Sequence, residues 1–117
     1  MIYLASPYSH PDKSVMFQRY QQVCRAAGAL MKEGHIIYSP IAHNHSIAEW
    51  CDMPTTWDFW ETYDTQVLAL CQELWILQLE GWEQSTGVKA EHNFFLHRMG
   101  RRHNQISFIT PRPEWLV

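Results

Sequence analysis

Apolar and polar positions change period several times along the chain, and each change marks an element. "MIYLA" (1–5) is a short continuous apolar run, the pattern of a strand buried on both faces. "SPYSHPDKS" interrupts it with two prolines, serines and an aspartate. Met16, Tyr20, Val23, Ala27, Leu30 and Met31 then recur at three- and four-residue steps, which predicts an amphipathic helix closed by Gly34 as its C′ glycine. "HIIYS" (35–39) reads as a second strand and "PIAHNHSIAEWCDMPTT" (40–56) as a long polar connection. A second helix is predicted from about Trp57 to Cys71, followed by a third strand at "ELWILQL" (73–79). The segment "LEGWEQSTG" then leads into a third helix ending near "RMGRRH". "QISFITP" (105–111) is a fourth strand, stopped by Pro111 and Pro113.

Strands alternating with helices call for an α/β fold: a parallel sheet covered on both faces and joined by right-handed crossovers. The expected architecture is a small flavodoxin-like three-layer α/β/α domain with strand order 2-1-3-4. Such a sheet binds ligands outside the carboxyl ends of its strands, where the order reverses between strands 1 and 3. The loops meeting there are "SPYSHPD" and "EGWEQSTG", and the connection carrying His43 and His45 borders the same crevice.

Composition narrows the setting. A chain of 117 residues is expected to form one domain, 1–117, with a single core. With 46% hydrophobic and 18% charged residues, it has the make-up of an ordinary soluble protein. A net charge of −3 excludes a broad electrostatic grip on a nucleic acid polymer. Cys24, Cys51 and Cys71 are odd in number and lack C-x-x-C spacing, so reduced thiols and a cytoplasmic setting are expected. The N-terminus has neither a basic n-region nor a long apolar run, which predicts no signal peptide and no membrane span. Six tryptophans are many for this length, and they make a homo-oligomer reasonable.

Two carboxylates sit where apolar side chains are expected. Phe95 lies one turn beyond Glu91 on the same helical face, with Val88 and Phe94 flanking it. An ionised carboxylate there needs a partner or a chemical task, and the nearby helix N-terminus favours its charged form, as suits a nucleophile. The plainer alternative is a partly exposed glutamate placed well for the helix dipole. Asp64 occupies the middle of a stripe formed by Trp60, Val67, Leu68 and Cys71. It either lines a cavity with its pKa raised by burial, or bonds a backbone group or a tryptophan N–H. Two inward carboxylates flanking one crevice suit glycosyl transfer, one attacking the anomeric carbon and the other protonating the leaving group. Ser85, Thr86 and Gly87 precede the third helix and fit an anion-binding helix start or plain N-capping.

Other residues compete for notice. His43 and His45, near Cys51 and Asp52, resemble a zinc set, but H-x-H aligns both rings only in a strand, so no metal is expected. A histidine such as His45 more readily hydrogen-bonds a ligand or the backbone. Trp57, Trp60 and Trp82 have faces suited to stacking on a base, with core or interface packing as the default for Trp60. Arg98, Arg101 and Arg102 complement the dipole at a helix end, with a nucleotide phosphate or a neighbouring subunit as the alternative partners.

Taken in order, "IYLASPYS", "GHIIYSPIAHNHSIA", "YDTQVLALCQELWIL" and "GWEQSTGVKAE" resemble the nucleoside 2-deoxyribosyltransferase superfamily over nearly the whole chain, closest to a small branch opening with "IYLASPYS". That group includes base-exchanging transferases and hydrolases of nucleoside 5′-monophosphates. The resemblance implies Glu91 as nucleophile, Asp64 as its catalytic partner and Tyr3 as the group positioning nucleophile or sugar. It also implies Ser85 and Gly87 as phosphate contacts, with Ser6 as a further substrate contact and no metal or organic cofactor. Trp75 and Trp82 depart from the family's small or aliphatic residues around strand 3, which draws Trp82 into consideration as a substrate contact. The implied reaction is cleavage or transfer of the N-glycosidic bond of a small-molecule nucleoside or nucleotide. Nicotinamide N-glycoside cleavage and a non-catalytic nucleotide- or base-binding sensor are the alternatives.

Overall fold

The N-terminal apolar run becomes β1 (Ile2–Ala5), and its burial on both faces follows from its place at the centre of the sheet. The computed structural model describes residues 1–117. β1 pairs in parallel with β2 (Ile37–Tyr38) on one side and β3 (Glu73–Leu77) on the other, so that Tyr3 is flanked by Tyr38 and Leu74. β4 (Ile106–Ile109) adds to the far edge of β3, giving the all-parallel order β2-β1-β3-β4 that the alternating pattern predicts.

The period of two along β1 sorts its side chains between two layers. Ile2 and Leu4 pack with Val23, Ala26, Ala27 and Leu30 of α1 (Lys13–Lys32) and with Trp115. Tyr3 and Ala5 face the opposite layer, where Leu68 of α3 (Trp57–Leu68) meets Val88 of α4 (Thr86–Asn93) and Phe95. Helices thus cover both faces. Asp12 caps α1 by accepting from Ser14 N–H at 2.9 Å, and Gly34, at φ 99°, turns the chain out of it.

The stretch 40–56 is not a polar connection throughout. It contains α2 (Pro40–Trp50), whose inner stripe is only Pro40, Asn44 and Ala48. That stripe lacks large apolar residues, which is why the hydrophobic pattern does not announce it. Its start is nonetheless written locally: Ser39 Oγ accepts from Ala42 N–H at 3.1 Å, and Pro40 occupies the first helical position. The second predicted helix, α3, stops at Leu68, leaving Cys71 buried in the turn into β3. α4 passes into a π turn, Phe94–Arg98, in which Phe94 C=O accepts from Met99 N–H, and Gly100 ends it at φ 65°. No helix is long and apolar enough to cross a membrane.

Candidate functional site

The loops leaving β1 and β3 enclose a cleft of about 360 Å³ with α2, α3 and the start of α4. Glu91 enters it from α4 and Asp64 from α3, and each side chain is 4% exposed. Their inward direction is the one that helical periodicity predicts from Val88 and Phe95, and from Trp60 and Leu68.

Glu91 Oε2 accepts a short hydrogen bond from the Tyr3 hydroxyl, which reaches it from the fully buried centre of β1. The Glu91 carboxyl is pushed up to about 8, chiefly by burial; the Tyr3 bond opposes the shift and the nearby Asp64 charge adds a smaller push in the same direction as burial. This reverses the direction suggested by the helix N-terminus. A helix dipole contributes about 0.3–1 kcal/mol at an exposed position, less than the roughly 1.4 kcal/mol that one pKa unit represents. Desolvation is the larger effect. Tyr3 is itself raised well above its ordinary value, first by burial and then by Glu91.

Asp64 is pushed up to about 6 by burial, against a hydrogen bond from Asn44 and the charge of His43. Asn44 Nδ2 donates to Asp64 Oδ1 at 2.8 Å, and Asn44 Oδ1 lies 2.7 Å from His43 Nδ1. With its amide nitrogen committed to the carboxylate, Asn44 presents an acceptor to His43, which therefore carries a proton on Nδ1. The Tyr63 ring stacks on His43 with centroids 5.4 Å apart. Asn44 is the site residue that sequence reasoning missed. Its signal was the Ser-Pro helix start, which places Asn44 one turn after Pro40 on the inner face.

Ser6, His45, Ser85 and Gly87 all line the cleft. The Ser6 hydroxyl is buried without a hydrogen-bond partner. Ser85 Oγ accepts from Val88 N–H at 3.2 Å, so the N-capping role holds, while the N–H groups of Thr86 and Gly87 have no partner within the fold. His45 is held by its neighbours: Nδ1 lies 2.6 Å from the Tyr8 hydroxyl, and the ring stacks on Tyr20 at 4.0 Å. His43 and His45, both on α2, diverge to different partners.

Tyr3 stands behind Glu91 rather than on the cleft surface, and Trp82 does not line the cleft. Gly81, at φ 89°, opens the short 3-10 turn Trp82–Gln84, and the Trp82 ring packs 5.7 Å from Phe108 of β4. Trp57 and Trp60 line the cleft instead, and the Trp57 ring covers Gly87.

Arg19 of α1 ties the two cleft loops together. Nη1 donates to the Tyr8 and Ser9 carbonyls at 3.3 and 3.1 Å, and Nη2 donates to the Glu80 carbonyl at 3.2 Å.

A family model described as "Domain of unknown function (DUF1937)" matches residues 1–106, a span that contains every residue of the cleft. No curated protein matches the chain.

Proposed function

The chain belongs to the DUF1937 family, and we propose that it cleaves or transfers the N-glycosidic bond of a (deoxy)nucleoside or nucleoside 5′-monophosphate through a glycosyl-Glu91 intermediate. One observation carries this reading. Two buried carboxylates from consecutive helices share a cleft, each with its own donor: Tyr3 on Glu91 and Asn44 on Asp64. The ordered motifs resembling nucleoside 2-deoxyribosyltransferases support it.

In the first step a Glu91 oxygen bonds to C1′ as the C1′–N bond breaks through an oxocarbenium-like transition state, and Asp64 protonates the departing base. In the second step water attacks C1′ and releases Glu91 as a carboxylate, giving hydrolysis. A second base attacking there gives transfer. Tyr3 steadies the nucleophile's orientation and its ionised form. The hydroxyl of Ser6 and the free N–H groups of Thr86 and Gly87 offer donors to the sugar or its 5′ substituent.

The same proposal describes a cytoplasmic homo-oligomer acting on small molecules without a metal or organic cofactor. Free cysteines and the exposed Phe59, Tyr63 and Leu70 on and just after α3 support it. The burial of Glu91, which pushes its carboxyl up to about 8 and so disfavours the ionised nucleophile, favours a base- or nucleotide-binding domain without turnover.

A chromatographic screen against ribo- and deoxyribonucleosides and their 5′-monophosphates, with and without a second free base, separates the two readings. Glu91→Gln serves as control. Base released by the wild type and not by the variant is the expected result. Ligand binding retained by both proteins without turnover would establish the binding domain instead.

A further inference from the structure

The charges around the cleft say more about its ligand than the two carboxylates do alone. Asp58, Asp64 and Glu91 line it, and no lysine or arginine does. Arg19 lies near the loops but commits its guanidinium to the Tyr8, Ser9 and Glu80 carbonyls. The histidine in the lining, His45, has Nδ1 engaged by Tyr8. Two tryptophans, Trp57 and Trp60, complete one wall.

We propose that the site selects unphosphorylated nucleosides whose base carries a fixed positive charge, such as N-alkylated purine or N-ribosyl pyridinium compounds. The proposal rests on the glycosidase reading given above and names its substrate class. With one proton on the Glu91–Asp64 pair the cleft lining still carries two negative charges and no lysine or arginine, which attracts a cation and repels a phosphomonoester. Indole faces bind cationic rings more strongly than neutral ones.

The chemistry points the same way. With one proton shared between two carboxylates, a neutral base needs that proton on Asp64, whereas burial holds it on Glu91. A cationic base needs no proton at all. Its positive charge beside Glu91 favours the ionised nucleophile, and the Glu91 proton passes to solvent on binding. The Glu91 oxygen then bonds to C1′, and the electron pair of the breaking C1′–N bond stays on the base and neutralises it. Water attacks C1′, the ester bond breaks, and one proton is released as Glu91 returns to carboxylate.

Two experiments on the wild-type protein test this selectivity. Calorimetry compares 1-methylnicotinamide with nicotinamide, a charged and a neutral base with no glycosidic bond to cleave. The methylated base is expected to bind about tenfold or more tightly, a preference that shrinks in Asp58→Asn. Base release is then followed from 7-methylinosine and inosine, each with and without a 5′-phosphate. KM is compared because N-alkylation itself weakens the C1′–N bond. The lowest KM is expected for unphosphorylated 7-methylinosine. Asp64→Asn should slow inosine by about 10²-fold or more and 7-methylinosine far less. A lower KM for inosine or for either phosphate would overturn the selectivity and leave the glycosidase reading standing. Release from none of the four would overturn the selectivity, with the glycosidase reading decided by the broader ribo- and deoxyribonucleoside screen, and equal binding of the two free bases would overturn the charge preference by itself.

Discussion

Glu91 and Asp64 differ in what holds them, and the difference fixes their behaviour with pH. Glu91 sits deeper, bonded to Tyr3, and rises to about 8; Asp64 is bonded to Asn44 and rises only to about 6. If the singly protonated pair is the active form, kcat/KM for a neutral nucleoside rises as pH climbs through about 6 and falls again through about 8. Asn44→Leu removes a donor that favours ionised Asp64. The acid limb should therefore move to higher pH with the alkaline limb nearly fixed, as a pH–rate profile reads directly. A purely structural role for Asn44 would lower activity without moving the limb. Both carboxylates were legible in the sequence because helical period alone assigns a residue to a face. Asn44 was not, since its partner lies 20 residues away across the cleft, and spacing within one element carries no cross-element contact.

At the level of elements, the alternation of period two and period 3.6 gave all four strands in their correct order, together with α1, α3 and the start of α4. α2 escaped because a stripe of Pro40, Asn44 and Ala48 has no bulk to register as apolar. The displacement of Trp82 has a similar origin: a single left-handed residue, Gly81, turns the chain before it. Gly81 also lies under the Arg19 clamp, where a Cβ would stand 2.5 Å from Arg19 Nη2. Gly81→Ala combines that clash with a disfavoured φ and should cost about 1–3 kcal/mol, measured as a lower urea midpoint. In an Arg19→Ala background the clash disappears and only the backbone strain remains. A double-mutant cycle should therefore show a smaller cost there than in the wild type, and equal costs would remove the clamp from the account.

For the whole molecule, two carboxylates with raised pKa values make stability fall as pH rises. The folded state holds protons that the unfolded chain releases, so Glu91 ceases to cost stability below its ordinary value of 4.5 and costs most above about 8. Thermal unfolding of the wild type should shift to lower temperature between pH 5 and 9, on the order of several degrees for a domain of this size. Glu91→Gln should flatten that slope and exceed the wild type in Tm at the alkaline end. A slope unchanged by the substitution would mean that Glu91 is ionised throughout. Tyr3 adds a different consequence. It belongs to the central strand and to the packed layer of Leu74, Val88 and Phe95, whereas the tryptophan wall comes from residues 57 and 60 at the rim. In the proposed reading, the group that positions the nucleophile is thus anchored in the packed centre of the sheet, and the wall that would choose the ligand lies at the rim of the cleft. Rim and strand are separate parts of the chain, so under that reading exchanging the 53–60 segment for another sequence should change which ligand is preferred and leave the Tyr3–Glu91 contact where it stands.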